Sequence, residues 1–229
     1  MRQWEFYHHI SSFSLKKEVL SKSLKSVKQK KVIPLPILPN KNMHDLYHLL
    51  WNRRSTRKYS KNEVSIKELS ILLNYSFMDT YTEKYVGRTY PSAGALQSLN
   101  YYIIVLNSKR LQKGIYIYES SNREIKLLKK GDASNDLVKI SGKQKWAKNT
   151  PIYIVITGDF SKIVAKYGER GYRHVLLEAG HAAQNVYLVS ESLHLGCCAI
   201  GGFYDNALDK LLDLKRTRKS IYILTIGHV

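Results

Sequence analysis

Residues 172–194 carry apolar side chains that recur about every 3.5 residues: Tyr172, Val175, Leu176, Ala179, Ala183, Val186, Val189 and Leu193. Arg173, Glu178 and Glu191 are the only formal charges in the run, histidines aside. The pattern predicts one helix from Tyr172 to His194, roughly 35 Å long at about 1.5 Å per residue. A helix that long and that poor in charge must be buried against something large. Gly196 is expected to end it. A short strand through Cys197, Cys198, Ala199 and Ile200 and a Gly201-Gly202 turn should follow. A turn without side chains lets backbone N–H groups approach a flat or anionic ligand.

The rest of the chain is organised around this helix. Residues 1–40 read as a basic N-terminal extension, with Pro34, Pro36 and Pro39 forming an extended linker. Residues 41–229 read as one domain. A helix is expected from Met43 to Asn52. A second should open at the capping box Ser65-x-x-Glu68 and run to Tyr75. Residues 79–90 read as loop. Strands are expected at Tyr101–Leu106 and Ile152–Thr157, with a hairpin of Ile115–Tyr118 and Glu124–Leu128 between them. Asp205 should cap a last helix to Leu212, and Ile221–Ile226 should form the final strand. Strands and helices do not alternate strictly, so the fold class is α+β.

Composition removes several function classes. No apolar run is long enough to span a bilayer. The N-terminus lacks the apolar core and small-residue cleavage site of a signal peptide. The two cysteines, Cys197 and Cys198, are adjacent, which suits neither a disulfide framework nor a zinc site. A cytoplasmic protein without a metal is the expectation. The net charge is +19. The lysines are scattered rather than gathered into a stripe, and their densest cluster, Lys16 to Lys31, falls in the extension. No nucleic-acid partner is expected; an anionic ligand or acidic peptide suits the surface better.

Four short segments could carry chemistry. Arg53-Arg54-Ser55-Thr56-Arg57 gathers guanidinium forks and hydroxyls at a helix end, as a phosphate site or as a solvated basic turn. Pro91-Ser92-Ala93-Gly94-Ala95 is small enough to pass against a ring, or is an ordinary tight loop. Lys166-Tyr167, in a polar turn before the long helix, is a general acid/base pair or an exposed lysine beside a packing tyrosine. Glu178 and His181, at i and i+3, suggest a hydrogen-bonded interior pair rather than a metal site.

In this order the segments resemble the nitroreductase-like flavoproteins, and within them the SagB-type thiazole/oxazole dehydrogenases. The resemblance rests on Arg53 to Tyr59, Arg88 to Leu96, Tyr167 to Arg173, the Leu-Glu-Ala-Gly-His-x-x-Gln-Asn helix, and Ala199 to Phe203. It implies a mostly antiparallel sheet flanked by helices, and a homodimer with FMN at the interface. Arg53, Arg54, Ser55 and Arg57 would hold the phosphate and the polar ring edge. Pro91, Ser92, Ala93 and Gly94 would line the flavin from the partner subunit. Ile200, Gly201 and Gly202 would approach flavin N5, and His228 stands where the subgroup often has Lys or Arg. Lys166 and Tyr167 would act in oxidising azoline rings in a precursor peptide prepared by a cyclodehydratase. Ala95 and Gln97-Ser98 depart from the family's usual residues. A generic NAD(P)H-dependent nitro or quinone reductase and a non-catalytic scaffold subunit are the other functions such a chain could serve.

Overall fold

The computed structural model of the chain describes residues 44–81, 86–142 and 144–229. The expected extension over 1–40, its proline linker and the Lys16–Lys31 cluster lie outside them.

The centre of the fold is a sheet of six strands. These are β3 (Leu99–Val105), β4 (Gly114–Glu119), β5 (Glu124–Lys130), β6 (Ile152–Asp159), β7 (Leu195–Ile200) and β8 (Arg218–His228). Their order is β5-β4-β3-β6-β8-β7, and every neighbouring pair is antiparallel. The expected α+β architecture is therefore what the chain adopts. β6 is buried from Ile152 through Gly158, which explains its unbroken β-branched run. Alternation along β3 and β6 divides the core in two. Tyr101, Ile103, Ile152, Ile154 and Ile156 face one layer, while Tyr102, Ile104, Tyr153 and Val155 face the other.

Helices α1 (His44–Asn52), α2 (Ile66–Phe77), α3 (Ser134–Ile140), α4 (Phe160–Tyr167), α5 (Arg170–Ser192) and α6 (Asp205–Leu212) cover this sheet. Leu69, Leu72 and Phe77 of α2 join Val175, Ala179, Ala182, Ala183 and Val186 of α5 in the first layer. Leu137 and Ile140 of α3 and Leu208 and Leu212 of α6 fill the second. The capping box of α2 forms as read. Glu68 N–H donates to Ser65 Oγ at 3.2 Å, and Ser65 N–H donates to Glu68 Oε2 at 2.8 Å.

Several boundaries differ from the sequence reading. α5 stops at Ser192 because His194 turns left-handed, with φ 55°; Gly196 lies inside β7, paired with Gly227. Residues 79–90 include a small hairpin, β1 (Asp79–Tyr81) with β2 (Val86–Arg88), where a loop was expected. α3 and α4 were not foreseen; both are short, and each offers few apolar positions for a period to show. Asp205 is the first residue of α6 rather than its cap, so it stabilises the helix as an anion near the N-terminus. On α5 the apolar stripe is wider than the chain itself covers: Tyr172, Leu176 and Leu177 are exposed.

α5 lies close to the sheet because Gly158 of β6 has no side chain beneath it. A Cβ there would sit 2.5 Å from Val175 Cγ1 and 3.2 Å from the Phe160 ring. Gly158→Ala should therefore cost about 1–3 kcal/mol of stability, the usual penalty of overpacking. Urea denaturation read by far-UV circular dichroism checks this; an unchanged midpoint would show that the helix has room to shift.

Candidate functional site

The predicted site residues fall into two clusters, one toward each end of α5. The first is built on the arginine turn. Arg54 is exposed, and its Nη1 donates to the Trp51 carbonyl at 2.7 Å and the Arg53 carbonyl at 2.9 Å, capping the end of α1. Ser55 and Thr56 are stitched to the start of β7, with Thr56 N–H donating to the Cys197 carbonyl at 2.8 Å. Tyr187 of α5 holds the cluster together. Its hydroxyl accepts Ala199 N–H at 2.7 Å and lies 3.1 Å from Ser55 Oγ, and Arg53 stands over its ring at 5.3 Å. Among the described residues neither Arg53 nor Arg57 pairs with a carboxylate.

β7 leads from this turn to Ile200, which is buried, and then to Gly201 and Gly202, which are exposed. A Cβ at Gly202 would meet nothing within 4 Å, and one at Gly201 only the Tyr222 ring at 3.8 Å. The chain's own packing does not demand glycine at either position. His228 stands apart from the arginines in its contacts. Its Nε2 lies 3.3 Å from Glu68 Oε1, and its carbonyl accepts Ser60 N–H. A carboxylate partner ties it to the α2 capping box.

The second cluster forms where α4 meets the small-residue loop. Lys166 and Tyr167 occupy the last turn of α4, not a free turn as expected. Gly94 adopts φ 59°, and Ala95 and Gln97 are also left-handed, at 55° and 50°. Winding two non-glycine residues this way costs roughly 1–2 kcal/mol each. Ser92 Oγ accepts Gln97 N–H at 2.9 Å and helps close the loop. The result is a close approach: a Cβ on Gly94 would lie 2.6 Å from both Lys166 Nζ and Tyr167 Oη. His174 of α5 packs edge-on against Tyr167, with ring centres 4.8 Å apart.

Beneath the loop lies a buried polar group of residues. Arg88 is paired with Asp79 at 2.5 Å and donates to the Phe77 carbonyl at 3.1 Å. Asn185 Nδ2 donates to the Thr89 carbonyl at 3.1 Å. The hydroxyls of Tyr90 and Tyr101 meet. Burial pushes Glu178 up to about 7, against the pull of Ser92, Ser98 and Arg88. Its expected partner His181 is exposed, so the two do not form an interior pair. A cavity of about 390 Å³ opens beside the loop, lined by Arg88, Tyr90, Pro91, Ser92, Ala95 and Gln97 among others.

Tyr187, Arg88 and His174 were not singled out in the sequence. One tyrosine among 17 carries no mark, and Arg88 and His174 gain meaning only from what folds against them. Among the described residues no group of His, Cys, Asp and Glu could hold a metal ion, and no helix is long and apolar enough to cross a membrane.

An antiparallel sheet between helices, with a donor-rich turn and a Lys-Tyr pair toward opposite ends of one long helix, makes this an α+β protein with two candidate site clusters. The sequence pattern of the nitroreductase family matches residues 50–228, and the chain belongs to that family. It is 33% identical over 178 residues to a protein of Methanocaldococcus jannaschii named as a nitroreductase, covering 78% of this chain and 89% of the other. It is 28% identical to the microcin B17-processing protein McbC of Escherichia coli, over 74% of this chain and 64% of that one. A crystal structure from Anabaena variabilis, also named as a nitroreductase, superposes with a TM-score of 0.76 at 25% identity, covering 98% of this chain. This chain spans only 46% of that larger one. A structure of the Escherichia coli microcin synthetase complex McbBCD, with truncated pro-peptide bound, shares the fold. Its TM-score is 0.68 at 22% identity, over 99% of this chain and 91% of the matched one.

Tyr187→Phe should remove the acceptor of Ala199 N–H and the contact to Ser55. An N–H left unsatisfied there costs about 1–3 kcal/mol. The drop should appear as a lower midpoint in thermal unfolding; wild-type stability would mean that the turn is held without the hydroxyl.

Proposed function

We propose that the chain is an FMN-dependent dehydrogenase that oxidises thiazoline or oxazoline rings to thiazoles or oxazoles in a ribosomally made peptide. The observation that carries this reading is the meeting of Lys166 Nζ and Tyr167 Oη at Gly94. Two proton-handling groups converge there on a loop with little side chain of its own. Kinship to McbC, whose name places it in microcin B17 processing, supports a peptide as the substrate. The fold shared with a structure of McbBCD and its pro-peptide suggests that a cyclodehydratase complex is the working partner.

The residues present suit FMN. Arg53, Ser55 and Arg57 offer donors to a phosphate, and Arg53 and Arg57 have no carboxylate to displace. Arg54 serves the α1 cap and His228 serves Glu68, so neither is needed as a ligand in this reading. Gly201 and Gly202 leave an open face beside Ile200 for a flat ring. Pro91, Ser92, Ala93 and Gly94 offer a second such face. The exposed apolar side chains of α1 (Leu46, Leu50 and Trp51) and of α5 (Leu176 and Leu177) support a homodimer in which one copy's loop completes the other's site. When bound, FMN supplies the hydride acceptor.

The remaining work falls to side chains. An azoline ring loses two hydrogens on becoming an azole, one as hydride and one as a proton. Tyr167 takes the proton, and Lys166 beside it is the second proton-handling group. His174 against the Tyr167 ring holds it toward Gly94. The loop keeps the ring and the pair in register, where a displacement of about 1 Å can cost 10²-fold in rate.

The direct test is mass spectrometry of an azoline peptide incubated with the purified protein and FMN. Loss of two hydrogens per ring supports the reading. Lys166→Ala and Tyr167→Phe should each slow that loss by about 10²-fold or more while flavin binding is retained. Arg53→Ala and Arg57→Ala should instead weaken flavin binding, read by fluorescence quenching. A second reading is a nitro or quinone reductase driven by NAD(P)H, favoured by the 33% identity to the archaeal protein. Fast turnover of a nitroaromatic with NAD(P)H, together with an unchanged azoline peptide, would select it.

A further inference from the structure

Glu178 is the only acid among the buried residues of α5, and it is 2% exposed. Among the described residues no Lys, Arg or His nitrogen pairs with it. The Ser92 hydroxyl and the Ser98 N–H approach it, yet neither carboxyl oxygen completes a well-formed hydrogen bond. The hydroxyl of Ser98 is likewise buried without a partner. An ionised carboxylate here has the Ser92 hydroxyl, the Ser98 N–H and the field of Arg88 in its favour, but no direct ion pair, and burial outweighs them. A neutral carboxylic acid has one O–H to give and a carbonyl oxygen to accept, and the Ser92 hydroxyl and the Ser98 N–H lie beside it.

The surroundings offer one cationic field, that of Arg88, and no ion pair to Glu178 among the described residues. Arg88 of β2 is turned to Asp79 of β1 and to the Phe77 carbonyl. Tyr90 and Tyr101 of β3 face Glu178 as hydroxyls that burial keeps neutral. On α5, His174 packs on Tyr167 and His181 is exposed. Lys166 and Tyr167 of α4 meet the loop at Gly94, two residues beyond Ser92. The carboxyl's ordinary value near 4.5 rises to about 7 in these surroundings, chiefly through burial.

We propose that Glu178 is a positioning residue: as a neutral acid it ties Ser92 and Ser98, the two ends of the loop, to α5, and so fixes Gly94 against Lys166 and Tyr167. The idea rests on the reading of Lys166 and Tyr167 as the proton-handling pair. It departs from the structural role of an ordinary core residue, because ionisation of Glu178 releases the loop without unfolding the sheet. Folding linkage has a definite sign. The folded state holds the proton that the unfolded state gives up, so Glu178 contributes stability below its ordinary value. That contribution is lost as the pH rises toward 7.

Glu178→Gln keeps the shape and a hydrogen-bond donor but cannot ionise. Amide hydrogen exchange over residues 92–98 should match in wild type and E178Q at pH 6. At pH 8 the wild-type loop should exchange about tenfold faster than the variant, following the fall of the neutral fraction. A wild-type to E178Q ratio that is the same at both pH values overturns the proposal. Glu178→Ala should loosen the loop at both pH values; if that variant fails to fold, the E178Q comparison decides alone. With an azoline peptide, the wild-type rate should fall from pH 6 to pH 8 by about tenfold relative to E178Q. Azoline oxidation with a flat exchange ratio sinks the role of Glu178 and spares the proposed reaction. A pH-dependent ratio without azoline oxidation sinks the reaction and spares the tether.

Discussion

The close contact of α5 with the sheet is the constraint on which the rest depends. Gly158 below and Val175, Ala179, Ala182 and Ala183 above let a helix of 23 residues lie against the central strands. Small residues at the contact bring the helix axis near enough for side chains at its two ends to reach beyond the sheet. Near one end, Tyr187 reaches the arginine turn and β7. Nearer the other, His174 and Glu178 reach α4 and the loop at Gly94. Both candidate clusters therefore take their positions from one packing interface. Damage there would move both at once.

Much of this was legible in the sequence, and the reason is periodicity. The α5 stripe, the Ser65–Glu68 capping box and the β-branched run of β6 are local signals, and each produced the element it predicts. Where the signal was short or competed with another, it was misread. Eight residues of α4 give barely two turns, so Lys166 and Tyr167 looked like turn residues. Gly196 looked like a helix stop because a glycine after an apolar run usually is one; it is instead a strand residue opposite Gly227. The site was legible as segments but not as contacts. That Arg54 caps α1 while Arg53 stands over Tyr187 depends on rotamers and neighbours, which spacing does not encode.

Family membership explains the scaffold, and the particular side chains argue for the chemistry. A nitroreductase fold accommodates many electron acceptors, so the fold alone selects no substrate. What separates this chain from a bare scaffold is the pairing of an unneutralised donor turn with an exposed glycine corner, and of a Lys-Tyr pair with a strained loop. Both arrangements carry a conformational or electrostatic cost that packing alone would not require. Ala95 and Gln97 carry the left-handed backbone of that loop.

The end of α4 sets how that pair can be used. Neighbouring residues on a helix project about 100° apart, so Lys166 and Tyr167 would ordinarily serve different directions. Here both tips arrive at a single point above Gly94. The helix stops at once afterwards, because Gly168 takes φ 58° and ψ −148°, a conformation open essentially to glycine alone. The chain turns there into α5, whose His174 packs on the Tyr167 ring, and the two adjacent side chains bend inward like the jaws of a pincer. The stop at Gly168 thus sets where α5 starts, and with it the ring of His174 that backs one jaw.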